Sequence, residues 1–138
     1  MRIKKSVICA INTSKIVKYE TYNQAINSKT YLKFITDLIN ENKITDKYIL
    51  MDNVSFHKTK TIKETIEKSN NKLLFIPPYS PEFNPIEELF SCLKTYIRSY
   101  LTPLHKNRNI DLIIDRYIKC NKPMINYYIH AYGNIQPC

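Results

Sequence analysis

The chain predicts a mixed α/β domain with a partly parallel sheet. Three observations carry this. Short apolar runs of strand length alternate with longer stretches of helical period. The first two runs are separated by a short polar turn, as antiparallel neighbours are. The later two are separated by a helical stretch, the kind of connection parallel strands need. At 138 residues, 43% hydrophobic and 24% charged, the chain has the size and balance of a single globular domain, 1–138, around one core.

Each element has its own signal. Ser6–Ile11 is an apolar run suited to a buried strand, and Cys9 sits inside it. The polar stretch Asn12-Thr13-Ser14-Lys15 then turns the chain into Ile16–Tyr22, whose β-branched and aromatic residues suit a second strand of a hairpin. From Ser28, a candidate N-cap, the period changes: Tyr31, Phe34, Ile35, Leu38 and Ile39 recur at helical spacing. Residues 47–51 form another buried-type strand that ends in Asp52-Asn53. A polar helix is predicted over 58–69 with Ile62 and Ile66 inward, and Lys72–Ile76 is a further strand, stopped by Pro77-Pro78. The loop Tyr79-Ser80-Pro81-Glu82-Phe83 leads to a helix that opens at Asn84-Pro85. Beyond Pro103 the pattern is helical but weaker, over 110–117 and 124–130.

Composition removes several function classes. The single glycine, Gly133, leaves no Walker A loop, dinucleotide fingerprint or kinase glycine loop, so no nucleotide cofactor is expected. No run of about 18 apolar residues occurs, so no membrane span is expected. The apolar run after Lys5 is too short for a signal-peptide core, so the expected setting is intracellular, in nucleus or cytoplasm, and not secreted. Cys9, Cys92, Cys120 and Cys138 show no paired spacing, and three scattered histidines give no zinc pattern; reduced thiols are expected. Twenty-one Lys and Arg against 12 Asp and Glu give a net charge of +9, which suits an anionic partner, nucleic acid before a membrane surface. Lysine enrichment from biased coding is the alternative source of that charge.

In sheets of this type sites form beyond the carboxyl ends of the strands. Asp52 stands at one such end, and the proline-rich loop leaves another. On a helical wheel at about 100° per residue, with Ile86 at zero, Leu89, Phe90, Leu93 and Ile97 form one apolar stripe. On the same wheel Glu88 lies near 200°, in solvent, and Glu87 near 100°, on one ridge with Lys94 and Arg98. Spacing alone leaves other roles open. Glu87 also suits the acid of a capping box, Asp52-Asn53 also suits a turn, and His57 also suits a helix entry.

Taken together, Asp52-Asn53 with His57, then Pro78-Tyr79-Ser80-Pro81, then Asn84-Pro85-Ile86-Glu87 resembles the catalytic core of DDE transposases, in the Tc1/mariner and IS630 group. Between Asp52 and Glu87 lie 34 residues, 53 to 86, the spacing of the DD34E branch. The resemblance runs from about residue 2 to about 132. It implies a ribonuclease-H-like fold and metal-dependent cleavage and transfer of DNA strands. It further implies that Asp52 and Glu87 are catalytic and ligate Mg²⁺ or Mn²⁺, that Asn53 and His57 lie just behind them, and that Lys94 and Arg98 hold backbone phosphates.

The chain departs from that family in one respect. The family's first catalytic Asp lies on a strand ahead of the hairpin, and no aspartate precedes Asp37 here. Asp37 falls on the outer face of a helical repeat, and Glu20 is mid-strand. That first strand is central in the family fold, so without it the hairpin and the Asp52 strand are expected either to expose their edges or to pair directly. The expectation is the C-terminal part of a transposase catalytic domain, incomplete or inactive as an isolated chain. Its expected partners are DNA and either a second copy or an upstream transposase fragment. The alternative is a non-catalytic basic nucleic-acid-binding or interaction module with the same fold.

Overall fold

A computed structural model describes residues 5–52, 59–76, 84–100 and 110–119. The elements run β1 (Ser6–Ile11), β2 (Ile16–Tyr22), α1 (Ser28–Asn42), β3 (Tyr48–Asp52), α2 (Thr59–Lys68), β4 (Lys72–Ile76), α3 (Pro85–Tyr100) and α4 (Ile110–Lys119). The predicted helix over 124–130 lies outside the described residues.

The hairpin turn is held by one side chain. Asn12 Oδ1 accepts from the backbone N–H groups of Ser14 and Lys15, each at 2.8 Å, and Asn12 N–H donates to the Lys15 carbonyl. β1 and β2 then pair antiparallel, with a register shift between Ala10 and Ile11. Period-two alternation sends successive β1 side chains to opposite faces. Ile8 and Ala10 join the core beneath α1, whereas Cys9 and Ile11 join a smaller cluster beneath α3.

The α1 stripe is as the spacing predicts: Phe34, Ile35, Leu38 and Ile39 are all buried, and Tyr31 packs at their edge. Its cap is not Ser28 but Asn27, whose Oδ1 accepts from Thr30 N–H at 2.8 Å. Both residue types cap well, and only the extended backbone at Asn27 decides between them. The helix ends at Lys43, in the left-handed region at φ 50°.

β3 and β4 pair in parallel, joined by α2, with Asp52 opposite Ile76 at the carboxyl end of the ladder. Asn71, a buried polar residue, sets the other end. Its Oδ1 accepts from Lys47 N–H, and its Nδ2 donates to the carbonyls of Ile44 and Ser69. Every polar atom of that amide is used, so its burial carries little penalty. On one face Met51, Ile49 and Leu73 pack against α1 and against Ile62 and Ile66 of α2. The other face differs from the buried-type strand expected: Tyr48 (61% exposed), Leu50 and Leu74 are open to solvent. Helices α1 and α2 cover one side of this pair, while α3 and α4 lie together and α3 sits over β1.

The described strands form two separate two-stranded sheets, β1–β2 and β3–β4. Their side chains share one core, since Ile8 of β1 and Met51 of β3 belong to the same cluster, yet the two strands are not hydrogen-bonded to each other. Of the two outcomes expected for an absent central strand, open edges is the one found. The fold is thus a mixed α/β arrangement flanked by helices, consistent with the ribonuclease-H-like architecture, with one of its strands missing among the described residues. Among the described residues no helix is long and apolar enough to cross a membrane.

Candidate functional site

The carboxyl end of β3 meets the first turn of α3. Strand pairing with β4 fixes where β3 ends and therefore where Asp52 stands. Pro85 opens α3, its fixed φ suiting the first helical position. Asn84 caps the helix, its Oδ1 accepting from Ile86 N–H at 3.2 Å and its carbonyl from Glu87 N–H at 3.1 Å. The same side chain reaches sideways: Asn84 Nδ2 donates to Asp52 Oδ1 at 3.2 Å.

Glu87 stands near Asp52, in the first turn of α3. Partial burial, then the charge of Asp52 and a hydrogen bond shared with it, push the Glu87 carboxyl above the usual glutamate range. Lys94 acts in the opposite direction, as its place on the same ridge predicts. The pair is a local excess of negative charge in a partly desolvated corner.

The helix wheel needs one correction. The buried residues of α3 are Pro85, Leu89 and Leu93, with Ile86 and Cys92 packed at the margin of Leu89, while Phe90 and Ile97 are only half-buried. The buried arc is therefore rotated toward Cys92 and Tyr96. The cause is that α3 is gripped from two sides, by the hairpin through Leu89 and by α4 through the Tyr96–Tyr117 ring pair, with centroids 5.1 Å apart. Glu88, expected in solvent, is consequently half-buried.

Lys94 and Arg98 are both exposed, one turn apart on α3. Asn53, His57 and the loop 77–83 lie outside the described residues. Asp37 is on the surface, ion-paired with Lys33 at 2.8 Å, and takes no part in the site. Among the described residues no group of three or more His, Cys, Asp or Glu side chains gathers to hold a metal. Cys9 and Cys92 are free, and burial pushes the Cys9 thiol up to about 12, which makes it an inert thiol.

Two residues of this corner carry more than their sequence signals suggest. Tyr31 reads only as a stripe residue of α1, yet burial and the charge of Asp52 push its phenol up to about 12, and its hydroxyl contacts Met51 Sδ at 3.6 Å. Its place in the first turn of α1 was the available signal, since that end of the helix lies at the strand ends. Asn84 reads as a cap, and its second hydrogen bond has no signature in the sequence.

Asp52 and Glu87 are hard oxygen donors of the type Mg²⁺ and Mn²⁺ take, and a divalent cation would relieve their mutual repulsion. Two carboxylates are too few to hold the metal pair expected of a two-metal site.

Residues 2–109 match the family described as DDE superfamily endonuclease. No curated protein matches the chain. Among solved structures, the Mos1 transposase paired-end complex with left transposon end superposes with a TM-score of 0.69 at 17% identity, covering 92% of this chain and 39% of that one. The catalytic domain of Mos1 mariner transposase gives 0.67 at 15% identity, covering 92% of this chain and 67% of that one. The same domain with raltegravir and Mg gives 0.66 at 16% identity. This chain thus spans about two fifths of the Mos1 transposase chain in the paired-end complex. The match over most of its length settles the family: the chain belongs to the DDE superfamily of endonucleases and has the fold of a mariner-type transposase domain.

Proposed function

We propose that this chain is part of a DDE transposase catalytic domain that acts on DNA, with Asp52 and Glu87 as two of its metal-binding carboxylates. The observation that carries the reading is the meeting of Asp52, Asn84 and Glu87 where β3 ends and α3 begins. A divalent cation bound there would supply a Lewis acid beside the scissile phosphodiester and the means to activate an attacking oxygen. The residues of the chain do the rest. Asp52 and Glu87 hold the ion. Lys94 and Arg98 hold backbone phosphates from α3, which adds affinity without reading sequence. The Mos1 paired-end complexes motivate DNA as substrate and a second copy as partner. The Mos1 domain structures with Mg and Mn motivate those ions.

A second reading is favoured by the absence of a third acidic ligand among the described residues: a basic DNA-binding module of the same fold that does not cleave. Nicking of supercoiled plasmid in Mn²⁺ or Mg²⁺, with Glu87→Gln as control, separates the two. The isolated chain is expected to bind DNA without sequence preference, to lose it steeply with salt, and not to nick. Nicking that needs metal and vanishes in Glu87→Gln would show that two carboxylates suffice. Absence of DNA binding at low salt would refute both readings.

A further inference from the structure

Asn84 does two things with one amide. A helix cap needs only an acceptor, and Ser, Thr or Asp would serve as well. An amide accepts from the Ile86 N–H with its oxygen while donating to a carboxylate with a separate nitrogen, whereas a hydroxyl would have to do both from one atom held closer to the backbone. The reverse orientation would put Oδ1 against Asp52 and the NH₂ against an N–H, so the two partners fix the side chain. The donated bond runs between two apolar clusters that meet only through the hairpin. Asp52 ends β3, which rests on α1 and α2, whereas Glu87 rides on α3, which rests on the hairpin and α4. Across that boundary Asp52 and Glu87 repel at neutral pH, so the site needs an attraction to hold its two carboxylates together.

We propose that Asn84 is a positioning residue for the carboxylate pair: its amide ties Asp52 to the first turn of α3 and so sets the spacing from Asp52 to Glu87. Where it concerns metal binding, this rests on the function proposed above.

The test is a double-mutant cycle on the whole chain. Asn84→Ser keeps a capping oxygen but cannot reach Asp52, and Asp52→Ala removes the acceptor. If Asn84 ties Asp52 down, the two changes are non-additive by about tenfold in the folding constant read from urea unfolding. Additivity within about twofold shows a cap only and overturns the proposal. Titration of Mn²⁺ followed by electron paramagnetic resonance gives the second reading. Asn84→Ser should raise the Mn²⁺ dissociation constant about tenfold or more with α-helical circular dichroism unchanged. An unchanged dissociation constant beside a non-additive cycle would overturn the part concerning metal geometry. Failure of the unmodified chain to bind Mn²⁺ would count against the metal reading of the site, and the cycle would still decide the role of Asn84.

Discussion

The two halves of this molecule are held together in different ways. On the α1–α2 side, Phe34, Ile35, Leu38, Ile39, Ile62 and Ile66 are all buried and meet Ile8 and Met51 from the strands. On the α3–α4 side Leu93, Ile113 and Ile114 are buried as well, but where α3 meets the hairpin Leu89 is the buried residue, and its neighbours Cys9, Ile11, Ile16, Ile86, Cys92 and Tyr117 are only partly covered. Polar links make up the difference there. Lys5 pairs with Asp111 at 3.0 Å, and Tyr19 donates to Asp115 at 2.6 Å, both joining the hairpin to α4. Apolar burial is insensitive to geometry, whereas hydrogen bonds hold direction but contribute modestly. Asp52 ends a strand packed on the larger cluster, and Glu87 rides on a helix that meets the hairpin through the smaller one. The site is where a firm element meets a softer one.

The largest expected effect tests the firm half. Ile66 is fully buried, and Ile66→Ala should cost about 4 kcal/mol in urea unfolding. Leu89→Ala should cost less, about 2 to 3 kcal/mol, because its surroundings are open enough to relax. Hydrogen exchange should then speed up in α3 while α1 stays protected. Equal costs at the two sites, or exchange quickening in both helices together, would abolish the contrast.

The polar staple comes next. Tyr19→Phe should cost about 1 kcal/mol by leaving Asp115 without its phenol donor. The Asp115 hydrogen bond, then burial, push the Tyr19 phenol up to about 12. Its folded value lies above its unfolded one, so its contribution is complete below about pH 10 and is lost as pH rises from there toward 12. Tyr19→Phe should flatten that part of the stability profile, and an unchanged profile would place the staple elsewhere.

The smallest effect concerns the site itself. The Glu87 carboxyl is raised in the fold by burial and by Asp52. A raised carboxyl works against the folded state once ionised, and the penalty is relieved as pH falls through the carboxylate range. Glu87→Gln should therefore stabilise the chain at neutral pH, by less than about 1 kcal/mol after solvent screening. Mn²⁺ should raise the melting temperature of the unmodified chain and leave that of Glu87→Gln in place. Destabilisation by Glu87→Gln would mean that the acid serves the helix cap after all.

The local elements were legible because their signals are local. Spacing gave α1 its buried stripe, Asn12 its turn and Asn84-Pro85 the start of α3, each decided by residues within a few positions of one another. The Asp52 and Glu87 pair was legible as well, through motifs with an ordered spacing. Three things were not. The Ser28 cap gave way to Asn27, because adjacent good capping residues differ only in the backbone each adopts. The wheel of α3 was rotated, because a wheel knows the helix and not the two neighbours that grip it. The outer face of β3 is open, because the sequence of an apolar strand cannot say how many layers will cover it.

By itself, then, the sequence determined which segments are strands and helices, which side of α1 and α2 faces inward, and which acids stand at element ends. Those features depend on the period of the backbone and on the chemistry of neighbouring residues. Only the tertiary structure decided that the hairpin and the parallel pair remain separate ladders over a shared core, and that Tyr31 and Asn84 surround Asp52. Such contacts join residues far apart in the chain, and their geometry follows from how whole elements pack rather than from any local pattern.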